Sequence, residues 1–412
     1  MRMRMPMRLR LPLRMWTPLR NPLAFAFASL ALVACEDWFG SGDHSTVSQG
    51  SSTDLDRGPF LAETTTDSIV VAWSTAGTGL GSVEYWTGAA SIEVRSEASS
   101  TRHHRIEIDG LNPGTLYDYQ VVTDGIVLAQ GRTFSTARTA GDPRLRFAVF
   151  GDSGSGDANQ IAVGSRLGEA DPDLVIHTGD LIYENGEAEN FNPRYFEPYT
   201  DIIDRIPLYA ALGNHDVRTL NGQPFLDALH LPHNNPAGTE RYYSFEAAHA
   251  RFIALDSNQS VSPGSPMRAW LEAELARPAG WKFVFFHHPP FSSALHTSDL
   301  NIRRDLEPLF IAGGVDVVFN GHDHVYERTF PLQNATPVNS NEEPDYVRPA
   351  GVVYVVTGGG GRPLYARTQV NGFTARFESV HHFVRVDLQD TTLALTAVRS
   401  DGVEFDSMTI AK

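Results

Sequence analysis

From residue 145 onward the chain alternates short apolar runs with amphipathic stretches. Residues 145–150, 173–178, 207–212, 281–286 and 315–319 are dominated by Val, Ile, Leu, Ala and Phe and have the length of buried strands. Between them, residues 158–170, 195–205, 267–276 and 303–311 repeat apolar positions every three or four residues, which predicts helices. Such alternation predicts a layered α/β domain over 143–412, with its ligand site in the loops at the carboxyl ends of the strands. Upstream, residues 68–74, 81–86, 105–108 and 116–122 are β-rich runs separated by turn residues, including Asn112-Pro113-Gly114. They predict a small β-sandwich over 57–138. There Tyr117 is read as a structural residue, and His103 and His104, flanked by Arg102 and Arg105, as an exposed strand rather than a ligand pair.

The first 34 residues follow a different plan. Arginines on a Met, Leu and Pro background precede an apolar stretch, residues 23–34, broken only by Ser29. A charged segment followed by a roughly 7–15-residue apolar core is the layout of an export signal, too short to span a bilayer. Leu32-Val33-Ala34-Cys35 resembles the bacterial lipobox, which implies lipidation of Cys35 and a membrane-anchored protein facing the periplasm or the cell exterior. The competing site, Ser29-Leu30-Ala31, would release a soluble protein. Residues 35–56, with their Gly, Ser and Thr, read as a flexible tether.

Composition narrows the chemistry. Six of the 33 basic residues lie in the first twenty positions, so the remainder of the chain sets 27 basic against 49 acidic residues, a net of −22. A surface that negative repels polyphosphate backbones, and no nucleic-acid partner is expected. Cys35 is the only cysteine, which excludes an internal disulfide or a thiolate cluster, so any metal must be held by nitrogen and oxygen donors.

Those donors end the strands. The five runs lead into Gly151-Asp152, Gly179-Asp180, Gly213-Asn214-His215-Asp216, His287-His288 and Gly321-His322-Asp323-His324. A single Asp after a strand is commonplace, as in the run ending at Asp256. Five such ends with the right donor types on one rim point to a metal site.

These segments resemble the signature blocks of the calcineurin-like metallophosphoesterase superfamily. The resemblance implies a four-layer sandwich of two mixed β-sheets flanked by helices. Most members carry Asp-x-His in the first block, whereas here that position is Gly154 and a tyrosine, Tyr183, lies three residues past Asp180. That exchange resembles the purple acid phosphatases, in which a phenolate binds ferric iron. Residues 242–245, Asp256-Ser257, residues 321–328 and the run 355–361 extend the likeness, and residues 111–119 resemble the corner of a fibronectin type III-like domain, with Tyr117 as its tyrosine.

The resemblance implies Asp152, Tyr183 and His324 on an Fe(III) ion, Asp180 bridging, and Asn214, His287 and His322 on a divalent Zn, Fe or Mn ion. His288 is the alternative to His287. His215 and His296 would contact substrate and leaving group, and Asp216 would orient His215. The implied activity is an acid phosphatase cleaving small phosphate monoesters by in-line attack of a metal-bound hydroxide. Two alternatives stand beside it: a phosphodiesterase or nucleotidase on the same site, and a surface-tethered adhesion lipoprotein with a decayed one.

Overall fold

A computed structural model describes residues 50–340 and 344–412. The signal segment, Cys35 and most of the tether lie outside the described residues.

Residues 55–135 form two antiparallel sheets. One has the strand order Leu55–Ala62, Ser68–Gly79, Thr101–Asp109, the other Glu93–Ser96, Gly81–Trp86, Leu116–Thr123, Ile126–Ser135. Alternation sends Ile69, Val71 and Trp73 of the first sheet against Val83, Tyr85 and Tyr119 of the second. The Tyr117 hydroxyl accepts the Asn112 N–H at 2.9 Å and braces the turn that carries the chain between the sheets.

Two expectations are corrected here. The first strand begins at Leu55, inside the stretch read as tether, because Leu55 and Arg57 pair with Thr75 and Ser74. His104 is buried, not exposed. It sits opposite Trp73 in the ladder and therefore shares its inward face, stacking on the indole at 4.5 Å. Glu97 and Thr75 take its two ring nitrogens at 2.8 and 3.1 Å.

The larger domain has two seven-stranded mixed sheets. The first runs Leu208–Ala210, Leu174–His177, Arg144–Phe150, His382–Gln389, Thr392–Arg399, Glu404–Ala411, Asp345–Val347. The second runs Tyr243–Ala247, Ala250–Ala254, Trp281–Phe285, Val317–Asn320, Val353–Thr357, Tyr326–Thr329, Thr374–Glu378. Period-two patterning builds the layers. Phe252, Phe283 and Phe319 face the first sheet, where Phe147 meets Phe283 at 4.9 Å, while Ile253, Val284 and Val318 face the helices. Helices Pro266–Ala276 and Leu300–Ala312 cover that outer face through Trp270, Leu271, Leu306 and Phe310. Helix Ala158–Glu169 covers the first sheet, its start capped by the Asp157 carboxylate. The result is the four-layer sandwich.

The helix expected over 195–205 is divided. A wide turn over Asn192–Phe196, closed by a Glu197 N–H to Asn192 carbonyl bond, gives way at Tyr199 (φ −113°) to the single turn Thr200–Ile203. Pro193 sits at the first turn, where its missing N–H is tolerated.

Candidate metal centre

Within each sheet the strands that lead to the candidate donors run parallel, so their carboxyl ends share an edge. Asp152, Asp180, Asn214, His287 and His322 all lie two to four residues past such ends. Glycines let them converge: a Cβ at Gly213 would collide with the Asp180 carboxylate, and one at Gly321 with Asp152 and Thr178. Asp152, Asp180 and His322 themselves adopt left-handed φ of 58°, 58° and 71°, the strained backbone that persists at functional sites.

Asp152, Asp180 and His287 are buried and present ligand atoms within 4.8 Å of one another. Around them, Tyr183 Oη lies 3.1 Å from both Asp152 Oδ1 and His324 Nε2. His287 Nε2 lies 3.0 Å from Asn214 Oδ1 and 3.3 Å from Asp180 Oδ2. The His322 ring is 5.0 Å from the His287 ring, and the His322 N–H donates to both Asp152 oxygens at 3.0 Å. The structure therefore brings all seven predicted donors into one cluster. It is His287 that meets Asp180 and Asn214, whereas His288 lies beside His322 and bonds Ser257.

The donor set fits metal ions on two counts. His287 and His324 each direct Nδ1 to a backbone carbonyl, of Thr178 at 3.1 Å and Pro363 at 2.8 Å, which leaves Nε2 aimed at the cluster. Burial also pulls the pKa of His324 down to about 4, and that of His322 well below the ordinary range, so both rings are neutral and able to donate a lone pair. His287 is the exception. Burial lowers its pKa, but Asp180 and Asp152 more than reverse this and raise it to about 9. Without a metal, a proton on His287 partly balances two buried carboxylates. A cation would do so in its place.

Gly154 explains the tyrosine. A side chain there would strike the Leu181 carbonyl, so the position has no room for a histidine, and the Tyr183 phenol occupies the space beside Asp152 instead.

The outer residues differ in part from expectation. His215 lies over the cluster, its ring 4.3 Å from Tyr183 and its Nε2 4.0 Å from Asp180. Asp216 does not orient it: His215 Nδ1 pairs with the Glu184 carbonyl at 2.6 Å. The Asp216 carboxylate turns inward and accepts the N–H groups of Asp180, Ile182 and Gly213 at 2.8, 3.1 and 2.9 Å. Three inward-pointing N–H groups need a buried acceptor, and that need decides its direction. His296 stands on the opposite side, its ring 4.2 Å from His322.

Sequence reasoning missed what holds His296. Asp323, between the two histidines of the last block, accepts the His296 N–H at 2.9 Å and the Ser292 hydroxyl at 2.5 Å. It also missed Tyr365, stacked on His324 at 4.1 Å, which no local pattern marks. Asp256 is structural, paired with Arg241 at 3.0 Å.

Comparison with known proteins identifies related chains and folds. Residues 145–326 match the family model for calcineurin-like phosphoesterases, and residues 59–137 that for the purple acid phosphatase N-terminal domain. An uncharacterized protein of Mycobacterium tuberculosis is 29% identical over 376 residues, spanning 78% of this chain and 69% of its own. The Fe(3+)-Zn(2+) purple acid phosphatase 12 of Arabidopsis thaliana is 26% identical over 318 residues, 68% of this chain and 67% of its own. The fold of the purple acid phosphatase PPD1 from yellow lupin seeds superposes with a TM-score of 0.78 at 22% identity, covering 86% of this chain and 74% of that one.

With strand ends that gather these donors and a matching family model, the chain belongs to the calcineurin-like metallophosphoesterases. Its N-terminal domain and its relatives place it more narrowly: it is a purple acid phosphatase-like member, a metal-dependent phosphoric ester hydrolase.

Proposed function

We propose that the protein is an acid phosphatase acting on small phosphate monoesters, with Fe(III) and a divalent ion as its two metals. The observation that carries this reading is the Tyr183 phenol, 3.1 Å from Asp152 and from His324, at a place where Gly154 leaves no room for a histidine. A hard anionic oxygen suits a hard trivalent ion. Asp152, Tyr183 and His324 would hold it, Asn214, His287 and His322 the divalent ion, and Asp180 both. The clustering of all seven speaks against a binding-only protein with a decayed site.

When bound, the metals supply Lewis-acid stabilisation of the phosphoryl oxygens and a nucleophile available below neutral pH. The side chains do the rest. His215, its Nδ1–H donated to the Glu184 carbonyl, places its Nε2 4.0 Å from Asp180 and, when protonated against a bound phosphate, would steady charge on the phosphoryl group. His296, exposed at the rim and held by Asp323, is placed to protonate the departing alkoxide. Export through the N-terminal signal and anchorage through a lipid on Cys35 would put this chemistry outside the cytoplasmic membrane.

The test is a set of rates on p-nitrophenyl phosphate, glycerol phosphate and bis(p-nitrophenyl) phosphate for the wild type and His296→Ala. The expected result is faster monoester than diester hydrolysis, with His296→Ala slowing glycerol phosphate about tenfold or more beyond its effect on the aryl ester. Diester preference would move the assignment to a phosphodiesterase. Equal losses on both monoesters would remove the acid role from His296.

A further inference from the structure

The mouth of the cluster carries two guanidinium groups that the chemistry above does not use. Arg362 lies over the Tyr183 ring at 4.2 Å, and the Tyr183 hydroxyl in turn touches Asp152 and His324. Its Nε is buried and makes no hydrogen bond among the described residues. Arg218, exposed, places Nη2 3.3 Å from His215 Nε2. Both side chains therefore flank the same patch, one on the tyrosine side and one on the histidine side.

Glu184 contacts both arginines, Arg362 through its carboxylate and Arg218 through its main chain. Its Oε1 accepts Arg362 Nη2 at 2.5 Å, and its backbone carbonyl accepts Arg218 Nη1 at 3.0 Å. The Glu184 side chain is 59% exposed and the Arg362 side chain 24%, so the pair is reachable from solvent. An exposed ion pair of this kind contributes little to folding. On a chain this acidic, two arginines at the entrance are a local exception in charge, and guanidinium forks match phosphate oxygens in geometry.

We propose that Arg218 and Arg362 form a second anion subsite beside the metal centre, which selects phosphate esters carrying a second phosphate group. The Glu184 carboxylate pairs with Arg362 when no such substrate is bound and swings toward solvent when one enters, leaving Arg218 on the Glu184 backbone carbonyl. This rests on the phosphatase reading, and it narrows the substrate class to bisphosphorylated small molecules.

The experiment uses the full metal-loaded chain and a matched pair of substrates, fructose 1,6-bisphosphate and fructose 6-phosphate. The wild type is expected to show a kcat/KM about tenfold higher for the bisphosphate, expressed in KM rather than kcat. Arg362→Gln and Arg218→Gln each reduce that ratio severalfold, and Glu184→Gln raises it. A binding readout accompanies the kinetics: the calorimetric Kd of propane-1,3-bisphosphonate relative to propylphosphonate weakens in both arginine variants. Equal kcat/KM for the two sugars, or a ratio that none of the three variants moves, overturns the subsite while leaving the phosphatase standing. Failure of the wild type to hydrolyse these sugars and p-nitrophenyl phosphate alike overturns both.

Discussion

Asp180→Ala is expected to abolish metal binding and turnover together, with a loss of at least ~10³-fold in kcat. Asp180 serves the cluster from several directions. Its Oδ1 accepts the His215 N–H at 2.8 Å, its Oδ2 lies 3.3 Å from His287, and its backbone N–H is anchored by Asp216. The carboxylate is buried, and burial alone would push its pKa up; the charged His287 against it more than reverses this and holds it well below the usual carboxylate range. A negative charge kept at that point supplies part of the charge two cations need. Asp180→Asn serves as the control for folding, since the amide fills the same space and keeps an oxygen for the His215 N–H. Both variants should retain the wild-type circular dichroism and lose metal by elemental analysis. A fully active Asp180→Ala protein would remove the site.

Metal removal is expected to expose a pH dependence that the loaded protein lacks. In the metal-free chain His287 titrates near 9, above the ordinary 6.5, because Asp180 and Asp152 outweigh the effect of its burial. A raised histidine contributes stability that is fully present below the unfolded pKa and is lost as pH climbs through the folded one. Between pH 6.5 and 9 the metal-free protein should therefore lose about 3 kcal/mol. Asp152 acts in the same sense. Burial raises its pKa, so keeping it ionised costs stability as pH rises above the carboxylate range. Bound cations remove both effects and compete with fewer protons as pH rises. The gap in Tm between loaded and metal-free protein should widen by several degrees from pH 6.5 to 9, measured by calorimetry. A gap that stays constant or narrows would show that His287 carries no proton in the empty site.

The layered domain and its donors were legible because both depend on local pattern. Period-two apolar runs place Phe252, Phe283 and Phe319 in the same layer, and five of the seven donors close to the ends of such runs, with Tyr183 and His324 two or three residues further on. What escaped depends on contacts between distant segments. Asp216 lies next to His215 in sequence, yet its direction is decided by the N–H groups of Asp180 and Ile182, some thirty residues earlier. His104 looks like a solvated strand residue until the ladder sets it opposite Trp73. Arg362 follows a glycine run with nothing to mark it, and only the fold brings it over Tyr183. The helix over 195–205 failed for a local reason, since apolar spacing alone does not register the break at Tyr199.

The central claim, tyrosinate on ferric iron, is tested most directly by the visible absorption spectrum of the purified protein measured beside its metal content. The account predicts a broad charge-transfer band with two metals per chain, one of them iron, and loss of the band in Tyr183→Phe while both metals remain. A colourless protein holding two divalent ions, or a band that survives Tyr183→Phe, would contradict it.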